Sequence, residues 1–298
     1  MEIYIYLLIV YTCVCEDMDV KKKRICAVTM VRNDEFFLRK WTAYYGKELG
    51  PENLYVFLDG KDQPIPDWCP GVNIVARERV PGQVAAADRG RIDYISEQAA
   101  RLLERYDMVI GTDVDEFLVV DPALNVSLTD FLSALPSRTS YSGLGIDVGQ
   151  HTVLEGEIDS SKPFLVQRHH AVLSTRYSKA TVITKPVRWG SGFHRVRNGN
   201  FHIVKDLYLF HFGCVDLKRL QAKFSDQDKV ATGWSRHLQK RAKTIFTVSK
   251  SKARSWDRWI PFARLVQNVI RPPYAWNKPA MFEMVLIVRI ADRFQKLV

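Results

Sequence analysis

Several motifs that would assign this chain to a familiar class are missing. Its five cysteines are an odd number and form no Cys-x-x-Cys pair, which predicts reduced, structural thiols in a reducing cytosol rather than a disulfide framework or a zinc site. No Gly-x-Gly-x-x-Gly follows the first predicted strand, and no Gly-x-x-x-x-Gly-Lys-Ser/Thr occurs. The dinucleotide fingerprint and the P-loop are therefore excluded, and any bound phosphate must be held in another way.

The sequence also lacks a hydrophobic run long enough to cross a membrane. The apolar run at residues 3–15 is about thirteen residues long, against the roughly 18 to 20 that a bilayer requires, and no basic region precedes it. Two interpretations of residues 1–20 follow. Either the reading frame is over-extended and Met18 is the start, or the run is a short interfacial segment that the basic residues 21–24 hold against acidic lipid.

Acidic side chains are scarce in the second half of the chain. Residues 1–160 carry 16 basic and 26 acidic side chains, whereas residues 161–298 carry 27 and 7. The acidic half suits a bound cation, and the basic half suits phosphates, nucleic acid or an anionic membrane surface. With 298 residues and 47% apolar content, the chain can bury a core as one large domain or as one domain with an appendage.

Strand and helix patterns alternate through the first half. A helix is predicted from Asn33 or Asp34, which would cap it, to Leu49, and a second helix covers residues 83–106. Strands are predicted at residues 24–31, 54–58, 72–76 and 107–112. This alternation indicates an α/β fold with a Rossmann-like, mostly parallel sheet flanked by helices. We expect an N-terminal segment at 1–20, this domain at 21–216, and a basic helical C-terminal region at 217–298.

The C-terminal region combines helical spacing with basic and aromatic residues. Residues 217–250 have helical spacing, and Phe282–Val298 is predicted to form an amphipathic or partly apolar helix. Between them, tryptophans alternate with arginines, a pattern that suits peripheral contact with an anionic membrane. The alternative is a packed C-terminal helix with a wet basic face. No RNA- or DNA-binding module pattern is present, so no nucleic acid partner is expected.

Two carboxylates directly follow the fourth predicted strand. In extended geometry Asp113 and Asp115 would share one face while Val114 packs on the other. Ligands of an open α/β sheet bind at this edge, and hard oxygen donors suit Mg²⁺ or Mn²⁺ completed by substrate phosphates. The alternative is a capping or salt-bridged turn. The other Asp-x-Asp matches, at 17/19 and 226/228, lie in polar segments and are interpreted as solvated charge.

Other polar residues follow neighbouring strands and are candidate nucleotide contacts. Arg32 and Asn33 follow the first strand, and Asp59 follows the second, where a simple Asp-Gly turn is an equal alternative. Arg89 and Arg91 lie near the start of the long helix, within plausible reach of phosphates, or on a solvated helix face. Together these positions would line one crevice for a nucleotide.

Two histidines are candidate third ligands of a cation. His194 follows Ser-Gly-Phe, and His211 lies within Leu-Phe-His-Phe. A lone histidine between apolar neighbours is most often a satisfied core residue. Here the presence of two aspartates and a diphosphate leaves room for one more protein ligand, which favours the functional interpretation.

Several segments together resemble a known protein family. They are Val31-Arg32-Asn33-Asp34-Glu35 with Leu38 and Trp41, Phe57-Leu58-Asp59, Asp113-Val114-Asp115-Glu116-Phe117, Lys179-Ala180-Thr181 through Arg188, Gly192-Phe193-His194-Arg195-Val196, and Leu209-Phe210-His211-Phe212. The chain resembles the family 2-like glycosyltransferases of the GT-A fold, in particular a bacterial branch with a DVDEF-type motif. The resemblance runs from about residue 24 to residue 223 and is carried by these short motifs.

The resemblance implies a metal-dependent transfer of a sugar from a nucleotide-diphosphate donor to an acceptor hydroxyl. The acceptor would be a glycan or glycolipid, in surface polysaccharide or glycoconjugate synthesis. By similarity, Asp113 and Asp115 bind Mn²⁺ or Mg²⁺ through the donor diphosphate, and His194 or His211 is the third ligand. Arg32 and Asp59 then contact the nucleotide. The protein would act in the cytoplasm or peripherally at the inner face of the membrane.

Relatives in this class usually invert the anomeric centre, which requires a carboxylate base. The Glu-Asp pair that commonly supplies this base does not occur after Asp115. Asp147 is the first substitute, followed by Glu155 and Glu157. Two other functions stay open from the residues: a nucleotidyltransferase that uses the same metal-diphosphate site, and a non-catalytic basic module that binds membranes or polyanions.

Overall fold

The computed structural model describes residues 21–79, 84–199, 201–224, 235–250, 252–280 and 286–298. The predicted N-terminal segment at 1–20 lies outside these residues. Within them, no helix combines the length and the apolar character that a bilayer-spanning segment needs. Cys26 and Cys69 are free thiols, as the cysteine spacing predicts for these two.

The centre of the molecule is a parallel sheet of four strands. These are β1 (Ile25–Val31), β2 (Leu54–Asp59), β3 (Asn73–Arg77) and β4 (Met108–Gly111). Their order is β3-β2-β1-β4, and every neighbouring pair is parallel. Helix α1 (Glu35–Leu49) connects β1 to β2, and α2 (Val84–Leu102) connects β3 to β4. The predicted α/β class, with mostly parallel central strands flanked by helices, is confirmed.

Helix α1 begins and ends where the sequence predicts. The Asp34 carboxylate accepts a hydrogen bond from Phe37 N at 3.4 Å, which caps the first turn. Gly50, with φ of 90°, ends the helix in a conformation that favours glycine. The helix buries Trp41 and Tyr45 completely against the sheet, so the apolar face fixes its orientation above β1 and β2.

Among the described residues, seven further strands extend the sheet in mixed directions. They are β5 (Glu116–Val120), β6 (Ser140–Gly149), β7 (His170–Leu173), β8 (Val182–Ile183), β9 (Ile203–Cys214), β10 (Arg254–Ser255) and β11 (Ile287–Arg289). Strand β9 pairs antiparallel with β5 and parallel with β6. In this register His211 is opposite Glu116 on one side and Asp147 on the other. The sheet therefore brings three polar positions that are far apart in sequence to one place.

The C-terminal residues differ from the predicted helix at Phe282–Val298. In the described part, from residue 286, the chain forms β11 and a short 3₁₀ turn at Asp292–Phe294. Ile287 and Val288 are buried and Arg289 is exposed, and these β-branched residues pair with β7 instead of forming a helix. The rest of the region contains α5 (Leu217–Phe224), α6 (Ser235–Lys250) and α7 (Trp256–Val269). The remaining helices are α3 (Leu128–Ser133) and α4 (Phe164–Gln167).

An ion pair fastens the C-terminal segment to the central domain. The Arg293 guanidinium donates to both oxygens of Asp121, at 2.7 and 2.9 Å. Asp121 also accepts from Tyr208 Oη at 3.2 Å and from Ala123 N at 3.0 Å. Burial alone would raise the pKa of Asp121, but the bonds from Arg293 and Ala123 lower it below its ordinary value. Asp121 therefore stays ionised and joins three parts of the chain.

Replacing Asp121 with alanine should destabilise the protein by about 2 to 4 kcal/mol, because Arg293 loses its buried acceptor and keeps the exposed Asp257, while a buried tyrosine hydroxyl loses its acceptor. Urea unfolding of the full chain measures the change. The matched control is Asp257→Ala, which removes the exposed partner of the same arginine and should change the free energy of unfolding by less than about 1 kcal/mol. Equal losses for the two variants would contradict this assignment.

Candidate functional site

The Asp113–Glu116 segment is a turn between β4 and β5, not the extended strand end that the sequence predicts. Glu116 N donates to Asp113 O at 3.0 Å, which closes the turn. The Glu116 carboxylate points inward and accepts from Asp113 N at 3.3 Å. The expected alternation of Asp113 and Asp115 on one face of a strand is therefore wrong. The two aspartates instead contact different partners, Asp113 beside two cations and Asp115 beside His211.

Asp113 lies between two basic side chains. Arg91 Nη1 donates to one carboxylate oxygen at 2.8 Å, and Lys179 Nζ donates to the other at 2.9 Å. Burial would raise the pKa of Asp113, but these two cations hold it well below its ordinary value. The salt-bridged turn, the alternative interpretation of the motif, is thus what the structure shows for Asp113.

Lys179 also bonds to Glu116. Its ammonium lies 2.5 Å from Glu116 Oε1, and both side chains are almost completely buried. Burial raises the pKa of Glu116, and Lys179 opposes that rise. Burial would lower the pKa of Lys179, but Asp113 and Glu116 raise it. A buried lysine therefore holds two carboxylates of one turn, and sequence reasoning assigned no role to Lys179 or Glu116.

His211 lies between Asp115 and Asp147. Its Nδ1 is 2.7 Å from Asp147 Oδ1, and its Nε2 is 3.5 Å from Asp115 Oδ2. The second oxygen of Asp147 accepts from Thr244 Oγ1 at 2.6 Å, and the Tyr177 ring stacks on the imidazole at 3.8 Å. Burial would lower the pKa of His211, but the two aspartates raise it to about 9.

His211 Nε2 and Asp115 Oδ2 are the side-chain atoms at this place that could hold a cation. His211 Nε2 is buried and, among the described residues, has no hydrogen-bond partner. At Gly213, a Cβ atom would lie 2.6 Å from His211 Nε2 and 3.0 Å from Asp115 Oδ2, so only glycine keeps this space open. One imidazole and one carboxylate fit Mn²⁺ better than Mg²⁺, which prefers oxygen alone. The described residues contain no cluster of three or more metal-ligating side chains.

His194 lies on the Asp113 side of the site. Burial and the neighbouring Lys179 lower its pKa to about 3, against an opposing effect of Asp113. Its imidazole is therefore neutral at physiological pH and able to bind a cation. Its role as a ligand stays a prediction, because its charged neighbours are Lys179 and Asp113 and not the His211 and Asp115 pair.

A pocket of about 520 Å³ lies at the carboxyl ends of β1 and β2. Asn33, Gln63 and Trp68 are among its lining residues, and Asn33 N donates to Gln63 Oε1 at 2.7 Å. Arg32 and Asp59 lie beside this pocket and not in its lining: Arg32 Nη1 donates to the backbone oxygen of Asp59 at 2.9 Å. A pocket therefore lies at the sheet edge where a nucleotide is expected, and Asn33 is the predicted contact that lines it; nucleotide binding there stays a prediction.

The two arginines predicted near phosphates differ in position. Arg89 is exposed, whereas Arg91 is partly buried and bonds to Asp113 and to Asp88. The structure thus brings Arg91 into the site and leaves Arg89 on the helix surface. Contact of either arginine with a nucleotide stays a prediction.

The predicted catalytic carboxylates are engaged in other contacts. Asp147 has one oxygen on His211 and the other on Thr244. Glu155 accepts from the backbone N of His151 and of His169, both at 2.8 Å. Burial would raise the pKa of Glu155, but these hydrogen bonds and the contact with His170 lower it below its ordinary value. Glu157 is exposed and pairs with Lys218. Asp147 belongs to the site, while the described contacts of Glu155 and Glu157 lie elsewhere.

No protein-family model matches this chain, and no curated protein matches it. Among solved structures, it is similar to the mannosyltransferase PcManGT from Pyrobaculum calidifontis in complex with GDP-Man and Mn²⁺, with a TM-score of 0.35 and 10% sequence identity. That match covers 80% of this chain and 82% of the other. A likeness of this size transfers no residue roles, so the fold class stands on the strand pairing described above.

Replacing Lys179 with methionine should cost about 3 to 5 kcal/mol at pH 7, because the buried Glu116 and the partly buried Asp113 lose their shared cation. The deficit should shrink toward pH 5. Without the lysine, the pKa values of Glu116 and Asp113 rise in the folded protein, so protonation at lower pH favours the folded state.

Urea unfolding of both proteins at pH 7 and pH 5 measures this effect. The control is Lys205→Met, at a lysine with 75% side-chain exposure and a 3.8 Å contact to Asp206, which should change stability by less than about 1 kcal/mol at either pH. A Lys179→Met deficit that is the same at both pH values would disprove the role of the lysine in holding ionised carboxylates.

Proposed function

We propose that this protein is a metal-dependent glycosyltransferase that moves a sugar from a nucleotide-diphosphate donor to an acceptor hydroxyl. The observation that carries the proposal is the Asp115 and His211 pair, which faces a space that Gly213 keeps open. Beside it, Lys179 and Arg91 supply positive charge at the Asp-x-Asp turn. The motifs shared with family 2-like glycosyltransferases agree with this assignment.

Asp115 and His211 are the residues that would hold the cation. A bound Mn²⁺ acts as a Lewis acid that offsets the negative charge on a departing nucleoside diphosphate. Because the described chain offers two such ligands here, the donor diphosphate would complete the coordination. This explains why the cation and the donor would bind together.

Lys179 and Arg91 would act on the same diphosphate. Both are cationic at physiological pH, and both contact Asp113 at the edge of the site. Fixed cations in a site from which water is largely excluded stabilise developing charge more than they would in water. Asp113 holds these two side chains in position, so it would affect donor binding indirectly, through Lys179 and Arg91.

The nucleoside would occupy the pocket at the ends of β1 and β2. Its location at the carboxyl edge of the parallel strands is the usual ligand position in open α/β sheets. A volume of about 520 Å³ falls in the range of small-molecule sites, roughly 300 to 1,000 Å³. The acceptor would be a glycan or glycolipid, and transfer would take place in the cytoplasm or at the inner face of a membrane.

Asp147 would be a positioning residue for the metal site. Its contact with His211 Nδ1 fixes the tautomer in which that nitrogen carries the proton, so Nε2 points toward Asp115 as a ligand. Thr244 in turn holds Asp147. This role differs from the general base expected from the sequence, because both carboxylate oxygens are already engaged.

The proposal predicts that the full chain, given nucleotide sugars and Mn²⁺, releases a nucleoside diphosphate from one preferred donor. Asp115→Asn should lower this release by roughly 100-fold or more, because the charge that anchors the cation is lost. Chromatography of the nucleotide products measures the reaction. Asp93→Asn, at a surface ion pair with Arg188, is the control and should keep full activity.

Two outcomes would reject the assignment. Release of pyrophosphate in place of a nucleoside diphosphate would indicate nucleotidyl transfer. Full sugar transfer by Asp115→Asn in the presence of a chelator would show that no cation acts at this position. A thermal-shift series with nucleoside diphosphates and Mn²⁺ gives a second readout, since a ligand that binds only the folded state raises its apparent stability.

The positioning role of Asp147 predicts a separate effect on the metal. Asp147→Asn should weaken Mn²⁺ binding by about 10- to 100-fold, as loss of an outer carboxylate does in other histidine sites. Titration of Mn²⁺ followed by electron paramagnetic resonance measures it without activity. Thr244→Val removes only the support of Asp147 and should have a smaller effect. Unchanged Mn²⁺ affinity in Asp147→Asn would contradict the role.

A further inference from the structure

Helix α7 presents a stripe of exposed apolar side chains on its outer face. Phe262, Leu265 and Val269 have exposed fractions of 48%, 60% and 69%. With 3.6 residues per turn, these three and Arg258 fall within an arc of about 60°. Side chains of this size on one stripe are seldom left in water on a soluble surface without a binding role.

The opposite face of α7 is fixed to the protein. Trp256, Ile260 and Ala263 are buried, and Gln267 accepts a hydrogen bond from Ser178 Oγ. Trp256 also packs against Phe294 of the C-terminal segment, with ring centroids 4.9 Å apart. The inner face of α7 is thus packed against the core, and the stripe lies on the face that points away from it.

The segment after α7 continues the exposed surface with aromatic residues. Ile270, Tyr274 and Trp276 are 41%, 70% and 58% exposed. Lys278 Nζ lies 4.7 Å from the centre of the Tyr274 ring, and Arg271 donates to the backbone oxygen of Trp276 at 2.9 Å. Tyrosine and tryptophan with neighbouring cations are typical of side chains at the boundary between lipid headgroups and acyl chains.

The charge of this surface is predominantly positive. Residues 252–280 contain six basic side chains and a single acid, Asp257. Asp257 is paired with Arg293 at 2.8 Å and lies about 110° around the helix from the centre of the stripe. An apolar stripe with a cationic surround and no acid on it complements an anionic surface.

We propose that the outer face of α7 and the 270–278 segment dock on an anionic lipid surface. Membrane contact by residues of this type combines burial of apolar side chains with roughly 1 kcal/mol for each nearby basic residue. A second copy of the chain fits less well. A two-fold contact would place the same cationic surface against itself, and no acidic group lies on the stripe to compensate.

Flotation of the full chain with lipid vesicles tests this surface. We expect the protein to float with vesicles of phosphatidylcholine containing about one third phosphatidylglycerol, to float much less with phosphatidylcholine alone, and to be released by high salt. In the double variant Phe262→Ser, Leu265→Ser, the bound fraction should fall by about fivefold or more.

The matched control is Val153→Ser, Leu154→Ser, which removes two exposed apolar side chains from another loop and should float as the original protein does. Circular dichroism and unfolding curves verify that both double variants fold.

Equal flotation of the α7 variant and the original chain would overturn the proposal, and so would equal binding to neutral and anionic vesicles. A dimer in light scattering that the α7 variant abolishes, with no flotation, would assign the face to a second copy. None of these outcomes depends on sugar transfer.

Discussion

The pairing of β9 with both β5 and β6 is the constraint on which the candidate site depends. His211 is opposite Glu116 in one ladder and opposite Asp147 in the other. A slip of one residue would turn every side chain of β9 to the other face. Leu209 and Phe210 are fully buried in the core beside it, so the free energy of packing fixes the register. The position of His211 beside Glu116 and Asp147 therefore depends on the packing of apolar neighbours in β9.

The charges within the site favour a cation together with an anionic ligand. Asp115 and Asp147 both contact His211, whereas Asp113 and Glu116 both contact Lys179, and Arg91 adds a second cation at Asp113. In the absence of a cation the two aspartates raise the pKa of His211 to about 9, which indicates that this place already stabilises positive charge. A metal ion that binds there must displace the proton, so its affinity would rise with pH. A metal ion and a proton would compete for the same imidazole nitrogen.

The sequence predicts the parallel half of the fold well because its signals are local. The cap at Asp34, the Gly50-Pro51 stop and the apolar strand runs are each contained within a few residues. The Asp-x-Asp turn is different, because Glu116 turns inward to meet a lysine 63 positions later in the chain. Lys179 carries no local signal of this pairing, and the partnership of Asp147 with His211 depends on strand register. Periodicity also favoured a helix at Phe282–Val298, where pairing with β7 decides the conformation of residues 287–289.

The proposed membrane surface and the proposed catalytic site are connected through one helix. Gln267, on the inner face of α7, accepts from Ser178, and Ser178 immediately precedes Lys179. The helix that would rest on lipid thus also contacts the loop between β7 and β8 that carries a buried cation of the site. Because α7 is packed rigidly on that side, docking its outer face would fix the orientation of the site relative to the membrane. An acceptor carried in the same membrane would then meet the enzyme in two dimensions, with much of its rotational freedom already lost.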